Sequence, residues 1–502
     1  MRRLVVFLLL LCSLQGLGAQ EAETPEIPVQ EYTLANGLRL LVFPRRAAPT
    51  VAFVVQYRIG SVNEVPGKTG IAHLLEHLLF KGTTTVGTKD YQAEAPLLAE
   101  EDRLQENLAR VRRGEESRED SIRVQMLGDR LKIVREQASA LVVPNEFDAI
   151  FSQNGARGLN ASTTTETTAY YLELPANRAQ LWFVMEADRM RNPVFREFYT
   201  ERDVVAEERR LRVETSPGGL LYQAHLAEAF KVHPYGRPVI GTREDLQNLT
   251  RADVLNYFRT YYSPDNAVVA IVGDVDSEQI LKWARSYLGT VPRGAAPPPV
   301  EVTEPPQNGE RRVRISYDAE PLLRIGWRVP SALHPDAPAL AMLASILTGG
   351  RSSRLYQRLV TGDRLATGVT SGTGPGVLFP GLFSVDAAPR SPHTPEDLEA
   401  AIYEELDHLA ETPPEEIELQ RVRNQLEASA VRRLQSNFGL AVQLAESETL
   451  FGDWRHSLEF YQSMESVTPQ DIRRVVNTYF RAQGRTVAIL SRPKEDQGGM
   501  EP

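Results

Sequence analysis

Cysteine is almost missing from this chain, with Cys12 the only one in 502 residues. A chain with one thiol forms no internal disulfide and offers no thiolate cage to a metal. Histidine is scarce too, at 8 residues, so any two placed close together carry information. Apolar runs are short, and the longest (residues 4–14) is too short to span a bilayer. No basic stripe is present, and 66 acidic against 56 basic residues leave a formal charge of −10. That balance excludes a protein built to bind nucleic acid non-specifically. With 42% apolar and 24% charged residues, the chain reads as an ordinary globular protein long enough for more than one domain.

The two ends are read separately from the fold. Arg2 and Arg3 precede the apolar stretch Leu4 to Leu14, and Leu17-Gly18-Ala19 forms a small-residue exit. This is the pattern of a secretory signal peptide over residues 1–19, cleaved after Ala19. Cys12 lacks the preceding small residues of a lipoprotein signal and leaves with the peptide, so the mature chain is cysteine-free. The expectation is an exported protein, in a bacterial periplasm or outside the cell, without a stable membrane anchor. The polar tail, residues 493–502, is read as disordered.

Against this background stands His73-Leu-Leu-Glu76-His77, inside the apolar run Gly70 to Phe80. On a helix, residues four apart project from the same face. One zinc ion could then bridge His73 and His77, with Glu76 beside it as general base toward a water. Two histidines do not complete such a site, and a distal acid is needed. Glu201, Glu207 and Glu208 offer several on one helical stretch.

The chain also repeats itself. A Pro-rich linker over residues 292–309 separates an N-terminal half, 28–291, from a C-terminal half, 310–492. Thr250 to Ile271 and Thr468 to Ile489 match at a constant offset of 218 residues, each reading as a capped helix followed by a strand. Gly70 to Gly82 instead matches Pro338 to Gly350, at an offset of 268. The first half therefore carries about 50 extra residues, placed at 94–146, a charged stretch of mixed sign read as a solvent-exposed helical hairpin. Strands are expected at Val51 to Tyr57, Ala161 to Leu174 and Ala267 to Val272. Helices are expected at Ala72 to Lys81, Arg178 to Arg191, Glu201 to Glu214 and Arg251 to Tyr261. The fold class is α+β: two homologous α/β-sandwich-like halves, each a sheet covered by helices, in a clamshell arrangement. At the positions matching His73, Glu76 and His77 the second half has Ala341, Ala344 and Ser345, and Glu201 and Glu208 match Leu419 and Leu426. The second half has no metal site.

The His-x-x-Glu-His order is that of inverted-motif zinc peptidases. With Glu201 to Arg209, Leu159-Asn160-Ala161-Ser162, His233-Pro-Tyr-Gly236 and Gly350-Arg-Ser-Ser-Arg354, the chain resembles the pitrilysin/insulinase/mitochondrial processing peptidase family from about Glu31 to Arg492. The resemblance implies a zinc-dependent endopeptidase with one Zn2+ held by His73, His77 and Glu208, and Glu76 as the base acting on water. It implies Glu201 as a carboxylate orienting a zinc histidine, and Asn160 and Ala161 on an edge strand that binds an extended peptide substrate. Glu207 is the neighbouring alternative, about 100° away round the helix. The family places its distal Glu about 76 residues after the second His. Here the gap to Glu208 is 131 residues, and the excess agrees with the insertion inferred from the repeat. His233 is read as structural. Active members also carry an Arg and a Tyr seven residues apart, where this chain has Val360 and Thr367. That departure implies the zinc-bearing subunit of a heterodimer whose zinc-less homologue supplies the pair, or otherwise a homodimer. The competing reading is a non-catalytic subunit of a peptidase-like complex.

Overall fold

The computed structural model describes residues 28–112 and 118–493. The expected signal peptide and all of the tail beyond Pro493 lie outside the described residues. Among the described residues eleven strands form two sheets. In the first half these are β1 (Gln30–Thr33), β2 (Arg39–Pro44), β3 (Thr50–Tyr57), β4 (Arg157–Thr163), β5 (Thr168–Pro175) and β6 (Ala267–Gly273), in the order β1-β2-β6-β3-β5-β4. In the second half β7 (Arg311–Ser316), β8 (Leu322–Val329), β9 (Ala366–Gly374), β10 (Gly381–Pro389) and β11 (Arg485–Ser491) run in the order β7-β11-β8-β10-β9. Apart from β1 the two orders are the same, and β2–β6 and β7–β11 are the parallel pair in each. The helix before β6 and the helix before β11 begin with the same Thr/Asp capping box, at Thr250 and Thr468. The fold is therefore a duplicated sheet-and-helix sandwich, two α+β halves set against each other.

Each central strand is buried on both faces. Along β6, Val269 and Ile271 point into the first half's own helices, while Val268, Ala270 and Val272 point the other way. That second face is covered by a helix from the other half, Asn437–Phe451, through Leu440, Ala441, Leu444 and Ala445. The arrangement is reciprocal: the first-half helix Pro217–Ala229 lays Leu221 over Ala488 and Leu490 of β11. Both exchanged helices start from a serine N-cap with a glycine three residues on, Ser216/Gly219 and Ser436/Gly439. A side chain at either glycine would run into the carbonyl oxygen of Arg212 or Arg433. Each fully buried leucine in these contacts contributes about 2–3 kcal/mol.

One expected strand, Ala161 to Leu174, is two. Thr164 Oγ1 accepts from the backbone N–H groups of Glu166 and Thr167, closing a tight turn between β4 and β5. Threonine content signals strand, but a hydroxyl placed to bond its own backbone favours a turn. The stretch expected as one helix from Glu201 to Glu214 likewise ends early: Phe198–Arg209 is α-helical and Arg210–Glu214 is a wider π-turn. Within the inserted stretch, helices Tyr91–Arg112 and Arg118–Leu141 pair through Leu104, Leu108, Leu131 and Val134. Their base is buried, with Glu94 against Arg196 at 2.9 Å, and Arg196 also donates to the carbonyls of Thr83 and Val86. The residues of the Pro-rich stretch follow the junction of the halves, and Glu304 accepts from the N–H groups of Lys231, Val232 and His233. Among the described residues, no helix is long and apolar enough to cross a membrane.

The exchanged helix 217–229 carries His225, fully buried against Gly326 of β8, with Nε2 donating to the Thr486 carbonyl at 3.2 Å. Burial pushes this imidazole down to about 3, and the nearby Arg324 guanidinium adds to the effect. Its unfolded value is near 6.5, so the unfolded chain takes up the proton first and stability falls as pH drops from about 6.5 toward 3. Glu and Asp side chains add their own pH dependence, so the contrast between variants is the readout. In denaturant melts across this window, His225→Gln is expected to lose stability less steeply than wild type, by up to about 1.4 kcal/mol per pH unit.

Candidate metal centre

The helix Ile71–Leu78 is fixed before its histidines are considered. Ile71, Ala72, Leu74, Leu75 and Leu78 are buried in the core. Its first turn is held by Glu64, whose two oxygens accept from the N–H groups of Gly70 and Ala72, each at 2.9 Å. A carboxyl group there satisfies two of the orphan donors at the helix start. Burial raises the Glu64 carboxyl to about 8, against the pull of those two N–H bonds. Gly70 has φ 86°, and a Cβ there would lie 2.6 Å from the Ile240 carbonyl oxygen. Only glycine fits that approach.

His73 and His77 leave this helix on the side facing helix Phe198–Arg209. Glu201 and Glu208 are seven residues apart there, two turns on one face. His73 Nε2 lies 3.1 Å and His77 Nε2 3.4 Å from the same oxygen, Glu208 Oε2. Among the described residues this is the one group of three able to hold a metal ion, its ligand atoms within 4.8 Å of one another. The other Glu208 oxygen faces Arg212 Nη1 at 2.9 Å. Glu201 stands behind His77, 3.5 Å from Nδ1, with its second oxygen 2.6 Å from Lys81 Nζ. Glu207 turns away and pairs with exposed Arg210.

Electrostatics match the geometry. The His73 and His77 contacts hold Glu208 far below the usual carboxylate range. Burial opposes a charge on His77, but the Glu201 and Glu208 carboxylates outweigh it and raise the group to about 9. Glu76 is buried beside His73, and Thr163 Oγ1, at the end of β4, donates to Glu76 Oε2 at 2.5 Å. Edge strand β4 also carries Asn160 and Ala161, with Asn160 Oδ1 accepting from the Ala161 N–H. His233 takes no part in the cluster. Its Nδ1 accepts from the Tyr235 N–H, and it is pushed down to about 4 by burial. In the second half, Leu419 is buried in the core with Leu426 packed against it, so an apolar contact stands where the first half has its acids. Val360 packs on that core and Thr367 Oγ1 donates to the Ala388 carbonyl.

Sequence reasoning missed Thr163, Lys81, Glu64 and Arg212. The alternation of β4 and the helical spacing of Arg212 from Glu208 carried some signal. Glu64 sits in a loop with none.

The family models described as Insulinase (Peptidase family M16) and Peptidase M16 inactive domain match residues 41–99 with 139–243 and residues 248–426. The chain belongs to the M16 family, the pitrilysin/insulinase peptidases. The first match skips residues 100–138, so most of the helical hairpin lies outside the shared pattern. The zinc protease PqqE of Helicobacter pylori is 29% identical over 483 residues, 94% of this chain and 95% of that one. An uncharacterized zinc protease of Streptomyces coelicolor is 27% identical, covering 89% and 86%. The crystal structure of a protease from Helicobacter pylori superposes with a TM-score of 0.78 at 28% identity, over 92% of this chain and 99% of that one. A peptidase M16 inactive domain from Pseudomonas fluorescens gives 0.73 at 16% identity, over 93% and 98%, a likeness of fold.

Zinc is the metal the family implies, and the donor set fits it. Two imidazoles and one carboxylate converge, the family of ligands used by three-ligand catalytic zinc sites, and His77 is oriented from behind by Glu201. Glu208→Gln is expected to abolish stoichiometric zinc uptake, while Glu201→Gln weakens it by about 10–100-fold. Chelator competition on the purified variants checks both.

Proposed function

We propose that this chain is an exported zinc-dependent endopeptidase that hydrolyses unstructured peptides or presequences, working with a zinc-less homologous subunit. The observation that carries this reading is the convergence of His73, His77 and Glu208 on one point, with Glu76 held beside them by Thr163. His73, His77 and Glu208 would hold the metal. Zinc, when bound, supplies Lewis acidity that makes water a nucleophile near neutral pH and stabilises charge on a carbonyl oxygen. Thr163 occupies Oε2 of Glu76, leaving Oε1 to take the proton from water and return it to the leaving amine nitrogen. β4 has an unpaired edge at the end of its sheet, where an extended peptide would add by main-chain hydrogen bonds, with Asn160 and Ala161 at the contact. This favours unfolded substrates over folded ones.

The partner is inferred from what the second half lacks. Val360 and Thr367 are committed to the second half's own packing and hydrogen bonding, so no Arg/Tyr clamp comes from those positions. A homologous subunit carrying the pair would supply it. The signal-peptide pattern read at residues 1–19 supports a site of action outside the cytoplasm.

The test is an unstructured-peptide assay on the purified, zinc-loaded chain, alone and with a zinc-less homologue bearing the Arg/Tyr pair. Slow cleavage alone and fast cleavage together is the expected outcome. Full activity from the lone chain overturns the need for a partner. Glu76→Gln is expected to retain zinc and lose about 10²–10⁴ in kcat. An unchanged rate would instead favour a binding subunit.

A further inference from the structure

A buried carboxylate outside the metal cluster joins the two halves beside the catalytic base. Glu166 sits in the tight turn between β4 and β5 and is 4% exposed. Its partners come from elsewhere in the fold. The N–H groups of Val377 and Leu378, in the β9–β10 hairpin of the second half, donate to its two oxygens, each at 2.8 Å. The Tyr235 hydroxyl donates to it as well, and accepts in turn from the Phe379 N–H. Thr165 Oγ1 adds a bond to the Pro375 carbonyl. The approach is close enough that a Cβ on Gly376 would lie 2.3 Å from the Tyr235 hydroxyl and 2.7 Å from Glu166 Oε1. An anion held by two backbone N–H groups and a phenol is a strong, directional fastening in a dry site.

From this turn two short paths reach the metal centre. Along β4, Glu166 is three residues from Thr163, which donates to Glu76 Oε2. On the other side, the carbonyls of Thr164 and Thr165 accept from the N–H groups of Ser61 and Val62. Those residues lead directly to Glu64, which holds the first turn of the zinc helix.

We infer that Glu166 is a positioning residue through which the β9–β10 hairpin of the second half sets the placement of Glu76 and of the substrate-binding edge β4. Tyr235 completes the fastening, which gives the His233-Pro-Tyr motif a role between the halves. The second half thereby acts on the reacting groups without holding metal. This inference rests on the peptidase reading for its kinetic readout only.

The experiment compares wild type, Glu166→Gln and Tyr235→Phe, each zinc-loaded and assayed as in the preceding test, with hydrogen–deuterium exchange on the same samples. The amide of Glu166→Gln sets an NH2 against a backbone donor and breaks one bond. Tyr235→Phe leaves both backbone bonds to Glu166 and removes the hydroxyl, with the bond it accepts from the Phe379 N–H. For Glu166→Gln the expected result is a kcat lower by about tenfold with KM within about twofold, at unchanged zinc content. Exchange rises at residues 157–163 together with 376–378, and Tyr235→Phe shows the same pattern more weakly. An unchanged kcat, a loss that tracks zinc content or folded fraction, or faster exchange at 376–378 alone overturns the inference. If wild type does not cleave, the peptidase reading fails, and exchange at 157–163 still decides whether the fastening governs β4.

Discussion

The central strands of both sheets are buried on both faces only because each half gives a helix to the other. A strand such as β6, with Val268, Ala270 and Val272 on one side and Val269 and Ile271 on the other, has no face suited to water. Its own half supplies helices for one side. The second side is closed by Leu440 and Leu444 of the opposite half, and β11 is closed in return by Leu221. Small residues at Ala52, Ala270 and Ala488 let these helices come close to the sheet. The near-continuous apolar strands follow from this, since alternation with polar residues survives only where one face meets solvent.

The candidate metal centre inherits its order from that arrangement. The helix that carries His73 and His77 is short, and a helix of this length is not stable by itself. Burial of its leucines, the Glu64 carboxylate at its start and the Glu94–Arg196 pair beyond its end hold it in place. Facing it, two acids seven residues apart on one helix stand in different places. Glu208 meets both imidazoles, and Glu201 lies behind His77 and pairs with Lys81. The second half shows the same scaffold without that expenditure. Alanine, serine and leucine occupy the matching positions, and the alanines and leucines pack in or on its core.

How far the sequence alone reached depends on what each feature leaves behind in the residues. The duplicated halves were legible because capped helices and apolar strands recur at a constant spacing. The His-x-x-Glu-His segment was legible because one helical turn brings its groups together without help from elsewhere. Glu208 needed the resemblance to the family and the count of inserted residues, since its partners are distant in the chain. The β4–β5 turn was misread as strand because threonine supports both, and the hydroxyl-to-backbone bonds that decide between them depend on three-dimensional context. The exchange of helices left a trace, the matching Ser-x-x-Gly starts at Ser216 and Ser436. Which sheet each helix would cover was not written in its periodicity. Glu64 and Glu166 were invisible, as single acids in loops carry no pattern.

The exchanged helices also settle where this molecule can flex. Drawing the halves apart would strip a helix from each sheet at once and expose two apolar faces, besides leaving His225 and its glycine contact unsupported. Separating the halves therefore costs apolar burial on both sheets at once, which couples the order of one half to the other.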